Sequence, residues 1–459
     1  MGVGVSQWRL AQAVSRLGQL GVVSGTALDT VLARRLQCGD IGGHMRRAME
    51  RFPIPQAAAE ALRRYFHPEG LPPGVPFATL PMPQQMMSKA REQFTMLAAF
   101  VEVQLAREGH EGLVGINLLT KVQHSNLPLL YGAMLAGAGF VLMGAGIPRE
   151  IPAALDALAL HQTATLRLEV EGGEAGAGQH LRLDPGRHWE GAPPEIRRPR
   201  FLPIVASHSL ASMMARKASG RVDGFVIEGP TAGGHNAPPR GGSALDERGD
   251  ITYGPRDVVD LAKIRELGLP FWVAGGEGSP QRLREALAAG AAGIQVGTLF
   301  AYCDESGIEP GLRASVLEHL ARGEIAVRTD SRASPTGYPF KVVTWGAVAA
   351  VRKRVCDLGY LRTAYAMPDG RIGYRCPSEP EGTFVAKGGD LADTVGRMCL
   401  CNSLLATIGL AQEREGCPPE PLLLTSGDEL VRLGGFLAGR TRYSAGDVIS
   451  YLLGAAPAS

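Results

Sequence analysis

Short apolar runs alternate with amphipathic stretches through the first 300 residues, and this rhythm limits the fold more than any other feature of the sequence. Eight such runs are found: Met1–Val5, Leu20–Ser24, Leu113–Leu118, Phe140–Ala145, Leu202–Ser207, Gly224–Glu228, Phe271–Gly275 and Gly293–Thr298. Strands of a parallel sheet are buried on both faces and read as continuous apolar stretches, and helices must connect them. Helical patterns follow five of the runs, at Trp8–Leu17, Leu127–Ala136, Glu150–Leu158, Leu210–Ala218 and Pro280–Ala289. Eight parallel strands predict an α/β fold, a (β/α)8 TIM barrel. Counting strands leaves a doubly wound open sheet as the alternative.

Two insertions interrupt the rhythm. Residues 26–112 separate the second and third strands and are expected to be largely helical. They contain a long amphipathic pattern, Gln84–Arg107, with Met87, Ala90, Phe94, Leu97, Ala98, Val101 and Leu105 at helical spacing. Residues 159–200 alternate at Leu166, Leu168 and Val170, which predicts a small β excursion. The domain division that follows is a barrel over 1–300 and a C-terminal helical, cysteine-containing appendage or lid over 301–459, whose final Ala-Pro-Ala-Ser is expected to fray.

Composition removes several classes. The 47 basic and 45 acidic residues give a net charge of +2, which argues against nucleic acid as a partner. No unbroken run of eighteen residues comes from the apolar set, and the N-terminus shows no basic-then-apolar leader, so no membrane association and a cytoplasmic location are expected. The seven cysteines, in such a chain, read as reduced thiols or ligands. Neither a G-x-S-x-G elbow nor a close histidine pair is present. Gly2-Val3-Gly4 lacks the third glycine of a dinucleotide-binding turn.

Barrel enzymes collect their chemistry on the loops after the strands' carboxyl ends. Ala274-Gly275-Gly276 and Val296-Gly297-Thr298 close the last two strands, where backbone N–H groups and a threonine hydroxyl can cradle a phosphate. The sixth strand runs into Glu228-Gly-Pro-Thr-Ala-Gly233-Gly234-His235-Asn-Ala-Pro-Pro-Arg240. Proline and glycine there forbid helix or central strand, so His235 is held on irregular backbone at the mouth, where an imidazole can exchange protons near neutrality. A plainer role, a loop histidine bonded to a carbonyl, stands beside that one. His124 and His208 follow the third and fifth strands and rank second among ten histidines.

This string, with Ala274-Gly-Gly276 and Gln295-Val-Gly-Thr298, resembles the nitronate monooxygenase (2-nitropropane dioxygenase) family of flavin barrels. Its extended His-Asn-Ala-Pro-Pro-Arg form is similar to the long-chain branch related to PfaD-type FMN-dependent enoyl reductases. The likeness continues through Arg332-Ala-Ser-Pro-Thr-Gly-Tyr-Pro-Phe-Lys341 to Cys399-Leu-Cys-Asn402. The resemblance implies FMN as cofactor, with Gly275, Gly276, Gly297 and Thr298 on its phosphate. It further implies Met1, Gly2, Asn117, Ser207, Gly233 and Gly234 along the rest of the flavin, and His235 and Lys121 as catalytic groups. Two activities are compatible with it. One is oxidation of a small nitronate with oxygen as final acceptor. The other is NAD(P)H-dependent reduction of an enoyl thioester, with an acyl carrier protein as partner. A non-catalytic barrel that scaffolds a synthase is the third possibility.

Cys356, Cys376, Cys399 and Cys401 stand 20, 23 and 2 residues apart. Their spacing lacks the paired knuckles of zinc ribbons, so buried thiols are the plainer reading. A tetrathiolate site for zinc or an iron–sulfur cluster is the alternative.

Overall fold

The structure is a computed structural model that describes residues 2–173, 178–242, 244–346, 353–418 and 420–454. Seven strands form one parallel sheet: β1 (Gly21–Ser24), β2 (Val114–Leu119), β3 (Phe140–Gly144), β4 (Arg200–Val205), β5 (Phe225–Glu228), β6 (Phe271–Ala274) and β7 (Gly293–Gln295). They pair in chain order, which is the order of a TIM-type α/β barrel. Seven of the eight expected strands are therefore in place.

The first expected strand is not. Residues 2–5 of Met1–Val5 form turns, and Met1 lies outside the described residues. Gly4 takes a positive φ of 61°, which a strand does not accommodate. The segment nevertheless sits at the edge where a strand would close the barrel. Ser6 accepts a backbone bond from Ser24 of β1 at 2.8 Å, and Val5 accepts one from Gly307, beyond β7, at 2.8 Å.

The expected helices appear with small shifts at their ends, at Trp8–Arg16, Asn126–Leu135, Ile151–Ala159, His208–Lys217 and Pro280–Ala288. The insertion of 26–112 is helical, with Leu28–Gln37, His44–Met49, Pro55–Tyr65 and Lys89–Arg107. The last of these starts five residues later than the periodicity predicts, because the Ser88 side chain caps it by accepting from the Arg91 N–H. Met96, Ala99, Phe100 and Val103 are buried along with Phe94, Leu97, Ala98, Val101 and Leu105 of the expected stripe, while Ala90 is exposed and Met87 is half-buried ahead of the helix. This helix is thus covered on most of its circumference, packing on Trp8–Arg16 and Asn126–Leu135.

The C-terminal region is less helical than its sequence suggests. Two hairpins, Ala326–Asp330 with Phe340–Thr344 and Thr363–Ala366 with Ile372–Arg375, join its helices. The excursion of 159–200 is β as expected: Ala164–Arg167 pairs with His180–Leu183, and Val170–Glu171 adds a strand to the second hairpin. A second apolar core links Leu10 and Leu299 to Leu424, Leu433, Phe436 and Val448, fixing the C-terminal region against the barrel. The terminal Ala-Pro-Ala-Ser lies outside the described residues.

Candidate functional site

The carboxyl ends of β2, β3, β4 and β5 open into one cleft, continuous with solvent. Asn117 lines it from β2, Gly144 from β3, Ile204 from β4 and Glu228 from β5. Gly2 and the loop residues Gly233, Gly234 and His235 complete the barrel side. The far wall belongs to the C-terminal region, through Phe340, Tyr360, Leu361, Leu400, Cys401, Leu404 and Thr425.

His235 is fixed from both backbone directions. Gly234 accepts from the Lys341 N–H at 2.9 Å and Asn236 donates to Pro339 O at 2.9 Å, so the loop pairs with Phe340 as an isolated bridge. The imidazole lies edge-on to the Phe340 ring at 4.8 Å, and its Nε2 meets the Ser334 hydroxyl at 2.7 Å. Nδ1 has no protein partner among the described residues. Burial pulls this imidazole down to about 4, so the neutral ring prevails at neutral pH. Glu228, at the end of β5, is pushed the other way: burial lifts its carboxyl to about 7.

Glu228 and Ser334 carry weight that the sequence reading did not assign. Both lay inside strings already singled out, at a strand's carboxyl end and in the Ala-Ser-Pro-Thr stretch respectively. A strand-end carboxylate was signal enough for Glu228. Nothing local marks Ser334, which stands 99 residues from His235.

Of the expected cofactor contacts, Gly2, Asn117, Gly233 and Gly234 line the cleft. Gly234 has φ of +84° and open space where a side chain would begin, which allows a flat ligand to approach the backbone. Ser207 does not reach the cleft. Its hydroxyl caps the helix His208–Lys217 by accepting from Leu210, so its strand-end position serves helix geometry. Lys121 also stays outside the cleft lining. Its ammonium is held at the rim by Glu169, 3.4 Å away, and lies 5.3 Å over the Tyr338 ring. Met1 lies outside the described residues.

Gly275, Gly276, Gly297 and Thr298 form adjoining turns but do not line the cleft. The strap Thr425–Glu429 intervenes. Gly427 donates to the Thr298 hydroxyl at 3.2 Å, Asp428 donates to Thr231 O at 3.0 Å, and Gly278 donates to the Glu429 carboxylate at 2.6 Å. Thr425 in turn accepts from the Gly234 N–H at 2.9 Å. The strap therefore runs from the cleft to the turns and touches both.

A mononucleotide fits the ring end of this arrangement, where glycine backbone and the Asn117 amide border open space. The turns retain what a phosphate needs. The N–H groups of Gly276 and Gly297 have no protein acceptor among the described residues, and no atom lies within 4 Å of where a Gly297 side chain would begin. Burial raises the carboxyl pKa of both Glu277 and Glu429 beside those turns.

Fold and site together define a barrel protein with an open cleft at its mouth, walled on the far side by its own C-terminal region. Residues 198–334 match the family model described as nitronate monooxygenase. The segment contains β4 to β7, His235 and Ser334. The nitronate monooxygenase of Pseudomonas aeruginosa is 34% identical over 117 residues, 26% of this chain and 32% of that protein. That of Paraburkholderia phytofirmans is 34% identical over 136 residues, 29% and 34% respectively. The chain thus spans about a third of the length of these curated relatives. Among solved structures, FabK from Thermotoga maritima aligns over 98% of this chain and 88% of its own, at 16% identity and a TM-score of 0.47. The enoyl reductase domain of MlnA from Bacillus amyloliquefaciens aligns over 99% and 92%, at 11% identity and 0.48. Neither structural likeness is close enough to bear on the chemistry.

Among the described residues no helix is long and apolar enough to cross a membrane.

Proposed function

We propose that this chain is an FMN-dependent oxidoreductase of the nitronate monooxygenase kind, acting on a small nitronate with oxygen as the final acceptor. The carrying observation is that Asn117, Gly233, Gly234 and His235 share one cleft, with His235 inside the segment that matches the family. Asn117, Gly2, Gly233 and Gly234 would border the flavin ring, and the N–H groups of Gly276 and Gly297 would meet its phosphate. Bound there, flavin supplies the electron acceptor that no side chain provides.

The protein's own contribution follows from the two shifted groups. A nitronate already carries its negative charge, so the site needs a donor facing its oxygens more than a base. A Ser334 hydroxyl donating to Nε2 leaves the imidazole proton on Nδ1, the nitrogen without a protein partner. The neutral His235 ring then opposes the substrate's charge without carrying one. Glu228 holds or releases a proton near neutrality across the same cleft. Phe340 and Leu361 line the cleft as apolar walls beside these groups.

One observation favours a second reading. Leu119, Val122, Leu361, Leu400 and Leu404 give the cleft a largely apolar wall, which suits an acyl chain. In that case NAD(P)H is the reductant, an enoyl thioester the substrate and an acyl carrier protein the partner. The purified protein should be yellow and release FMN on heating. Mixed without oxygen, bleaching by a nitronate and not by NADPH supports the first reading; rapid bleaching by NADPH supports the second. Colourless protein that takes up no FMN would refute both. His235→Ala is expected to keep its flavin and slow turnover by on the order of 10²-fold. Unchanged turnover would remove His235 from the chemistry.

A further inference from the structure

Four cysteines from three separate stretches converge behind the cleft. Cys356, Cys376, Cys399 and Cys401 line a single void, bounded otherwise by residues such as Leu358, Leu361 and Arg362. It has room for about one water-sized body. None of the four is in a disulfide. Each of Cys356, Cys376 and Cys401 is raised in pKa, the first two mainly by burial, and each feels others of the set nearby.

The three stretches are tied together independently of the thiols. Arg354 donates to Pro377 O at 2.9 Å and to Thr394 O at 2.7 Å. Ser378 donates to Met398 O at 2.8 Å, and Cys376 and Glu379 exchange hydrogen bonds in a tight turn. The Asn402 amide donates to the Cys399 sulfur at 3.6 Å, the kind of contact that orients a thiolate ligand. Regular structure is sparse between Arg354 and Cys399: one short hairpin, the six-residue helix Glu381–Ala386 and one 3-10 turn. A segment with so little core of its own is where a metal commonly supplies stability.

We propose that these four sulfurs bind one zinc ion, a structural site that fixes the far wall of the cleft. Four thiolates without histidine select a soft divalent ion, and the single-body void favours one ion over a cluster. In the thiol form no three His, Cys, Asp or Glu side chains among the described residues stand at metal-ligand geometry. Closure therefore requires the cysteine side chains to turn inward about χ1, a change between staggered wells. Binding converts four thiols to thiolates and releases four protons, leaving a site of charge −2. Zinc retention must then fall as pH falls.

The site shares Leu361, Leu400 and Cys401 with the cleft, so ligation reaches the wall that a substrate touches. The full chain, purified without chelator, should carry one zinc per molecule by elemental analysis. A mercurial reagent should release it in step with thiol modification. Cobalt added after metal removal should give the intense visible and near-ultraviolet bands of tetrahedral thiolate coordination, a readout independent of activity. Cys376→Ser should lose the metal, and Cys417→Ser should keep it. Wild-type protein that binds neither zinc nor cobalt, with its thiols free or paired as disulfides, overturns the proposal. So does iron with acid-labile sulfide.

Discussion

Replacing Gly233 with alanine tests the seam between the β5 loop and the strap. A β-carbon at Gly233 would stand 2.8 Å from the Gly427 nitrogen and 2.8 Å from the Ser426 carbonyl carbon, and 3.2 Å from Ser426 Cα. All three are backbone atoms, so no side chain can turn aside. Loop and strap must separate by several tenths of an ångström, yet Asp428 is bonded to Thr231 of the same loop and the Gly427 and Glu429 hydrogen bonds anchor the strap on its other side. Overpacking of this kind costs about 1–3 kcal/mol. Gly234, the next residue, meets nothing within 4 Å and is constrained only by its φ of +84°. Its alanine variant should lose only about 1–2 kcal/mol, from backbone strain. Urea unfolding of both variants, with FMN content measured alongside, separates the two effects. Gly233→Ala should lose stability and flavin together, and Gly234→Ala should keep more of its flavin. A Gly233→Ala protein as stable and as yellow as the parent would show that strap and loop do not meet as described.

Three further outcomes are expected. His124 and His235 both have imidazoles held down to about 4 against an ordinary 6.5, so the unfolded chain takes up their protons first and stability falls as pH drops from about 6.5 to about 4. Glu228, raised to about 7, acts with opposite sign between about 7 and 4.5. A Glu228→Gln background should therefore steepen the acid loss in unfolding titrations, and adding His235→Ala should shallow it; an unaltered slope contradicts the burial of these groups. Glu429→Gln keeps an acceptor for Gly278 while removing charge from the turns, so FMN should bind several-fold more tightly by fluorescence titration, and weaker binding would mean that the carboxylate supports the site. Arg91→Ala leaves Asp29 buried without its partner at 2.6 Å and should cost about 3–5 kcal/mol, read by chemical denaturation; a loss under 1 kcal/mol would show that Tyr360 and Thr95 suffice to hold the carboxylate.

The barrel strands were legible because a strand buried on both faces must be apolar throughout, and β2 and β3 show this directly. The first run failed because Gly2 and Gly4 give an apolar stretch that turns, and composition alone does not separate turn from strand. His235 was legible from proline and glycine around it. Its partner Ser334 was not, since a contact across 99 residues leaves no local trace. The strap was invisible for the same reason: Thr425 meets Gly234 across 191 residues. Lys121 and Ser207 misled because a position after a strand names the correct rim of a barrel, but not the direction of the side chain.

The strap also orders events during synthesis. The turns at Gly275–Gly276 and Gly297–Thr298 leave the ribosome more than a hundred residues before Thr425–Glu429, which later packs across them. A nascent chain halted between those points presents bare glycine turns to any nucleotide in solution. In the finished chain, entry to the same turns requires passing, or lifting, a segment joined to them by two hydrogen bonds. Loading before and after completion should accordingly differ in rate.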